Sequence, residues 1–396
     1  MSQLEAQEFA PAPAERRGLA RDQVQLLVAT DRGITHTRFH RLDEHLELGD
    51  IVVVNNSATV AAAVDAVSDR HGPVVLHLAT PLDDATWVVE VRRPPDAARA
   101  VLDARAGDRI DLVGGAAHLQ LIEPYPAPGS SPTGTGNRLW RASMTGDLTA
   151  AVRRLGRPIA YGYLDARYPL TDYQTVFGHR PGSAEMPSAG RPFSPDLVTR
   201  LVAKGVLVAP ITLHTGVSSQ EAGEFPQAER FEVPRSTAAA VNAARAAGGR
   251  VIAVGTTVTR ALESAVDVGR DGATVVARSG WTSRIISPAE PPLVTDGLVT
   301  GWHDPEASHL MLVEAVAGAG LTRRAYTAAS ASGYLWHEFG DSCLLLPGSG
   351  RSQANPDDRT NTHRAGCSHD DRPPPGLPRT SRRGPRDQPP QDLRVR

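Results

Sequence analysis

Lysine is almost missing from this chain: Lys204 is the only one, and arginine supplies the rest of the 42 basic side chains. So uniform a replacement reads as coding bias before it reads as phosphate recognition. Basic excess is missing too. Against 44 acidic residues the formal net charge is -2, which gives no overall nucleic-acid footprint, although a local basic face is compatible with that average. Only two cysteines occur, Cys343 and Cys367; they make neither a disulfide framework nor a zinc pattern, and no metal is expected. Cys343, in the apolar run SCLLLP, reads as a buried small hydrophobe. No run approaches the ~18 apolar residues of a membrane span, and the N-terminus lacks a basic segment followed by an apolar core. A cytoplasmic protein without membrane contact is the expectation, with a monomer favoured.

What is present is an ordinary globular composition. The 396 residues, 40% hydrophobic and 22% charged, suffice for two domains and a sizeable core. Residues 1–19 are rich in Ala, Pro and Glu and read as a flexible N-terminus. QLLVATD and ITHTRFHRL, joined through Gly33, read as a hairpin, and GDIVVVNNS as a buried strand. Between 65 and 147 short runs recur (VVLHLAT, TWVVEVR, DRIDLVG, AHLQLIEPY, NRLWRASMTG), the first two alternating, which predicts a small antiparallel barrel or sandwich. From 148 to 347 strands and helices alternate. Ser194 caps a predicted helix with Pro195 in its first turn, and STAAAVNAARAAGG reads as a Ser-capped helix. The fold class expected is therefore α/β: a mixed, mainly parallel sheet over 20–64 and 148–347, with the barrel inserted at 65–147. Residues 348–396 are Pro- and Arg-rich and read as a disordered tail.

Several unusual segments follow one another in a fixed order: RDQVQLLV, GDIVVVNNS, YQTVF, PSAGRPFS, TLHTG, ERFEVP, RVIAVGTTVTRALESA, GWHDPEASHLMLV and FGDSCLLL. On these segments the chain, from about Arg21 to Leu346, resembles the S-adenosylmethionine:tRNA ribosyltransferase-isomerases of queuosine biosynthesis. The resemblance implies S-adenosylmethionine as ribosyl donor and tRNA as partner. The acceptor would be a 7-aminomethyl-7-deazaguanine base and the product epoxyqueuosine, with adenine and methionine released. It also implies a main α/β domain with an inserted small β-barrel. Two other readings stay open: a paralogue using S-adenosylmethionine on another acceptor, and a non-catalytic nucleoside- or RNA-binding descendant.

That chemistry needs a base for the carbon beside the sulfonium, an acid for the departing purine, and donors for the methionine carboxylate. His214, in T-L-H-T-G after a buried strand, is a catalytic candidate, or else a ring that closes the strand end. Glu229 and Glu232 fall on opposite faces of a regular strand, so at most one serves a site, and Glu229 is preferred. Gly255, Thr256 and Thr257 lie between a buried strand and a helix, where backbone amides hold an anion or a threonine simply caps the helix; Glu263 on that helix reads as a partner of Arg260 and nothing more. His303, beside Asp304 and Pro305, is a third catalytic candidate. Asp341 in F-G-D is a ribose ligand or a turn aspartate, and Asn55 a substrate donor or a strand-end amide.

The chain departs from the family pattern at chemically pointed places. Pro192 stands in P-S-A-G-R-P-F-S where the family has a histidine in P-T-A-G-L-H-F-T. N-D-T-R becomes Asn55-Asn56-Ser57-Ala58, T-N-F-H becomes Thr300-Gly301-Trp302-His303, and a Gly-rich stretch becomes Val217-Ser218-Ser219-Gln220-Glu221. Gln227-Ala228 replaces a methionine-histidine pair before Glu229. A site remade for another acceptor, or one no longer catalytic, would show such changes.

Overall fold

The computed structural model describes residues 8–348, apart from 116, 132–133, 219–223, 225, 271 and 304–308. The unbroken apolar runs form strands buried at every position: Ile51–Asn55, Val251–Val254 and Ser342–Leu346. Strands covered on both faces have no reason to alternate. They belong to a nine-stranded sheet ordered Arg278–Thr282, Glu229–Val233, Leu207–Leu213, Ile51–Asn55, Val251–Val254, Gly297–Gly301, Ser342–Leu346, Gln25–Thr30 and Gly33–Arg38. The four strands from Leu207–Leu213 to Gly297–Gly301 run parallel. Both edges are antiparallel, and Ser342–Leu346 runs antiparallel to one neighbour and parallel to the other.

Side chains alternate between two cores as the period of two requires. Leu27, Ala29, Ile51 and Val53 pack under helices Arg235–Ala246, Thr256–Ser264, His309–Ala317 and Ala319–Ala331. Leu26, Val28, Val52 and Val54 face the short helix Phe39–His45 and helix Pro195–Ala203. Ser194 caps the latter, accepting the Leu197 N–H at 3.2 Å. The expected serine cap of the next helix is absent. Pro234, held extended at φ -69°, ends the preceding strand, and the helix begins at Arg235, ahead of Ser236.

The inserted barrel is closed. Ala63–Ser68, Gly72–Pro81, Trp87–Arg92, Arg109–Leu112, Ala117–Pro124 and Leu139–Gly146 form it, every pairing antiparallel. Closure removes the exposed edges that such short strands would otherwise present. The chain enters and leaves it side by side: Ala63 and Arg157 exchange both backbone hydrogen bonds at 2.9 Å.

The N-terminal segment differs from its composition-based reading. Ala10, Ala12 and Ala14 are buried, residues 14–17 form a 3-10 turn, and Arg17 donates to the Phe339 carbonyl at 2.8 Å. Small residues let this strand of chain lie close against the C-terminal aromatics, a long-range contact that composition does not encode. The tail beyond Gly348, Cys367 included, lies outside the described residues. Among the described residues no helix is long and apolar enough to cross a membrane.

Candidate active site

Three of the parallel strands, Leu207–Leu213, Val251–Val254 and Gly297–Gly301, end on the same edge of the sheet, the edge at which α/β folds bind ligands. The residues just past them line one cavity of about 250 Å³: Thr215 and Gly216, then Gly255 to Thr257, then Trp302 and His303. The turn Ser188–Gly190 supplies a further wall.

Gly255 sits at φ 93°, a conformation open to glycine, and a Cβ there would lie 3.2 Å from the Cβ of Ala189. It is the N-cap of helix Thr256–Ser264 and provides no side-chain cap. No threonine caps this end, and the helix presents uncapped amides beside the cavity. One turn on, the Arg260 guanidinium ties the wall together. It forms an ion pair with Glu229 and donates to the carbonyls of Arg284 at 3.2 Å, Gln227 at 3.0 Å and Thr282 at 3.3 Å. Glu229 also accepts the Gly216 N–H at 3.1 Å.

Two imidazoles stack in the same wall. The rings of His303 and His309 lie 4.7 Å apart at 9°, and His303 Nε2 bonds Thr300 Oγ1 at 3.1 Å. Burial pushes both down, His303 well below the usual histidine range and His309 to about 4, so both are neutral at pH 7. A carboxyl pair completes the lining. Glu338 Oε2 accepts the Tyr163 hydroxyl at 2.6 Å, while Oε1 is buried without a partner among the described residues. Burial, with the like charge of Glu185 added, raises Glu338 to about 8 against the opposing Tyr163 hydrogen bond. Glu185 accepts from the Tyr161 hydroxyl and from the Ser218 N–H at 3.1 Å.

Of the residues singled out in the sequence, Glu229, His303, Gly255, Thr256 and Thr257 meet in this cavity. The other three lie outside its lining, satisfied by protein. His214 Nδ1 bonds Ser57 Oγ at 2.8 Å, Ser57 bonds Ser183 at 2.6 Å, and Gly182 packs on the ring so closely that a Cβ would come 2.4 Å from Nδ1. Asn55 donates to the Leu213 carbonyl at 2.8 Å and accepts from Leu213 and Ser57, each at 3.0 Å. Asp341 accepts the Gln25 N–H at 2.7 Å and the Leu335 N–H at 2.8 Å, a turn aspartate beside a cavity of about 10 Å³. Glu232 faces away from the site and pairs with Arg180 at 2.5 Å. Glu263 does not pair with Arg260; it is buried under other partners.

Of the replaced family positions, Gly301 lines the main cavity, with open space where a side chain would stand. Pro192 lines the small neighbouring cavity, and Asn56 accepts from Thr212 Oγ1 at 2.7 Å. Asp304, Pro305, Ser219, Gln220 and Glu221 fall outside the described residues. Tyr161, Tyr163, Glu185, His309 and Glu338 were missed. The available hint was Glu338, a carboxyl inside the aromatic run YLWHEF. Among the described residues no group of three or more His, Cys, Asp or Glu is placed to hold a metal ion.

Replacing His214 with alanine is expected to cost about 1 kcal/mol, the worth of one hydrogen bond, in a urea melt. Nucleoside binding followed by calorimetry should survive the change. Its complete loss would put the ring in the ligand's path.

The fold is that of an α/β protein with a cavity at the carboxyl edge of its sheet. Comparison with known proteins makes this specific: the family described as queuosine biosynthesis protein matches residues 2–345, and the chain belongs to it. The chain is 35% identical over 361 residues to the S-adenosylmethionine:tRNA ribosyltransferase-isomerase of Thermus thermophilus, covering 87% of this chain and 100% of that one. It is 36% identical over 358 residues to the protein of that name from Methylocella silvestris, covering 84% and 94%. A solved S-adenosylmethionine tRNA ribosyltransferase from Thermotoga maritima matches at a TM-score of 0.46 and 25% identity, covering 87% of this chain and 98% of that one.

Proposed function

We propose that the protein transfers and isomerises the ribosyl group of S-adenosylmethionine onto a 7-aminomethyl-7-deazaguanine base in tRNA, forming epoxyqueuosine and releasing adenine and methionine. The observation that carries this reading is the convergence, in one cavity, of uncapped helix amides, neutral imidazoles and a carboxyl raised to about 8. The amides of Thr256 and Thr257 suit the methionine carboxylate. His303, neutral at pH 7, is in the form that takes a proton from the carbon beside the sulfonium. Glu229 holds the Gly216 loop and Arg260 together and sets the wall against which the nucleoside lies. The shared name of the relatives supports tRNA as acceptor.

Incubation with S-adenosylmethionine and precursor-containing tRNA is expected to release free adenine in step with modified base. Binding of the donor without adenine would overturn catalysis and favour a nucleoside-binding descendant. One observation favours a second acceptor: Gly301 stands where the family pattern has an amide, and it widens the wall. Adenine release that ignores tRNA would select that reading.

A further inference from the structure

We propose that Glu338 is the acid that protonates the departing purine, an assignment that rests on the reaction read above. When the bond between the ribose carbon and the purine nitrogen breaks, its electron pair leaves with adenine. A proton must reach a purine nitrogen, and the donor is left as its conjugate base. In this step the Glu338 O–H bond breaks, the new bond is N–H on adenine, and Glu338 becomes a carboxylate.

The geometry selects this side chain. Its Oε2 is occupied by the Tyr163 hydroxyl at 2.6 Å, so in the neutral acid the proton sits on Oε1, which has no partner among the described residues. The residue lines the main cavity and also the small one beside it. Pro192 lines that small cavity as well, at the position where the family pattern carries an imidazole. Pro192, whose ring cannot exchange protons, and Glu338, whose carboxyl can, thus share that wall.

The charge environment fits an acid. Burial raises its pKa to about 8, and the neighbouring charge that acts on it is the like charge of Glu185. Tyr163 and Tyr173 face it with their own hydroxyls raised by burial, and His303, also held neutral by burial, shares the cavity. His337 adjoins it in the chain, and Arg21, Arg191 and Asp341 line the small cavity with it. Because the pKa is raised, the acid form is present at neutral pH and is lost as pH climbs through about 8.

Glu338→Gln keeps the size and the acceptor for Tyr163 but has no acidic proton. With wild-type S-adenosylmethionine affinity retained in calorimetry, its rate of adenine release is expected to fall by roughly 10²–10⁴. The wild-type rate should decline above pH about 8, and that limb should vanish in the variant. Tyr163→Phe removes the hydrogen bond that lowers the pKa, so its limb should move to higher pH. A glutamine variant that releases adenine at a rate close to wild type, or one that keeps the alkaline limb, overturns the assignment while leaving the reaction standing. Absence of adenine from the wild type sinks the reaction and the assignment together.

Discussion

Glu90→Ala is expected to lower folding stability by about 3–5 kcal/mol, the cost of leaving buried charge without its partner. Glu90 is wholly buried and holds three groups: His77 Nδ1 at 3.2 Å, Arg92 Nη1 at 2.5 Å and Arg138 Nη1 at 2.9 Å. His77, Glu90 and Arg92 sit on the outer face of the barrel, in strands whose alternate residues, among them Val89 and Val91, fill its interior, and Arg138 lies just before strand Leu139–Gly146. The Arg92 guanidinium lies 5.5 Å from the centre of the Tyr161 ring, whose hydroxyl reaches Glu185 in the cavity wall. Removing the carboxylate takes one ion pair from Arg92 and leaves Arg138 with its pair to Glu224 at 2.6 Å. Burial by itself would raise the Glu90 pKa, but the His77 hydrogen bond and the charges of Arg138 and Arg92 overcome it and hold it at about 2. A depressed carboxylate stabilises the fold above its ordinary value of 4.5, and the benefit is lost as pH falls from there toward 2. That difference is worth roughly 3 kcal/mol. Urea melts at pH 7 should therefore separate wild type from variant widely, and the gap should narrow near pH 3. Coincident melts at pH 7 would mean the network contributes nothing.

Glu263→Ala should be nearly as damaging, although no charge pair is involved. Its carboxylate accepts the N–H groups of Leu293 at 2.8 Å, Val294 at 3.1 Å and Thr295 at 3.0 Å, and the Thr295 hydroxyl at 2.9 Å. Each buried donor left without an acceptor costs about 1–3 kcal/mol, so a loss of at least ~3 kcal/mol is expected. Glu232→Ala is the control: its pair with Arg180 is solvent-exposed, and a change within about 1 kcal/mol is expected. Equal effects from the two variants would contradict the burial argument.

Residues 74–79 and 87–92 alternated as barrel strands should, and they form them. What alternation could not say is that His77 and Glu90, on the outward face, meet protein and not water. The site divides in the same way. Gly255 to Thr257 were legible because a strand, a glycine and two threonines form a local pattern. Glu338 and Tyr163 were not, since 175 residues separate them in the chain. His214 shared the strand-end pattern with Gly255, yet Ser57 and Ser183, brought in by the small parallel pairing of Ser57–Thr59 with Arg180–Ser183, engage its Nδ1 side. Composition misjudged residues 10–14 for a similar reason: alanine spacing carries no record of the aromatic surface it fits.

Lys204 follows helix Pro195–Ala203 and precedes strand Leu207–Leu213, on the side of the sheet where the parallel strands begin. A strand of that length spans roughly 20 Å, so the chain's only side-chain amine stands a full strand away from the mouth of the cavity. An amine-reactive fluorophore attached to this side chain would sit away from the cavity and leave its mouth open.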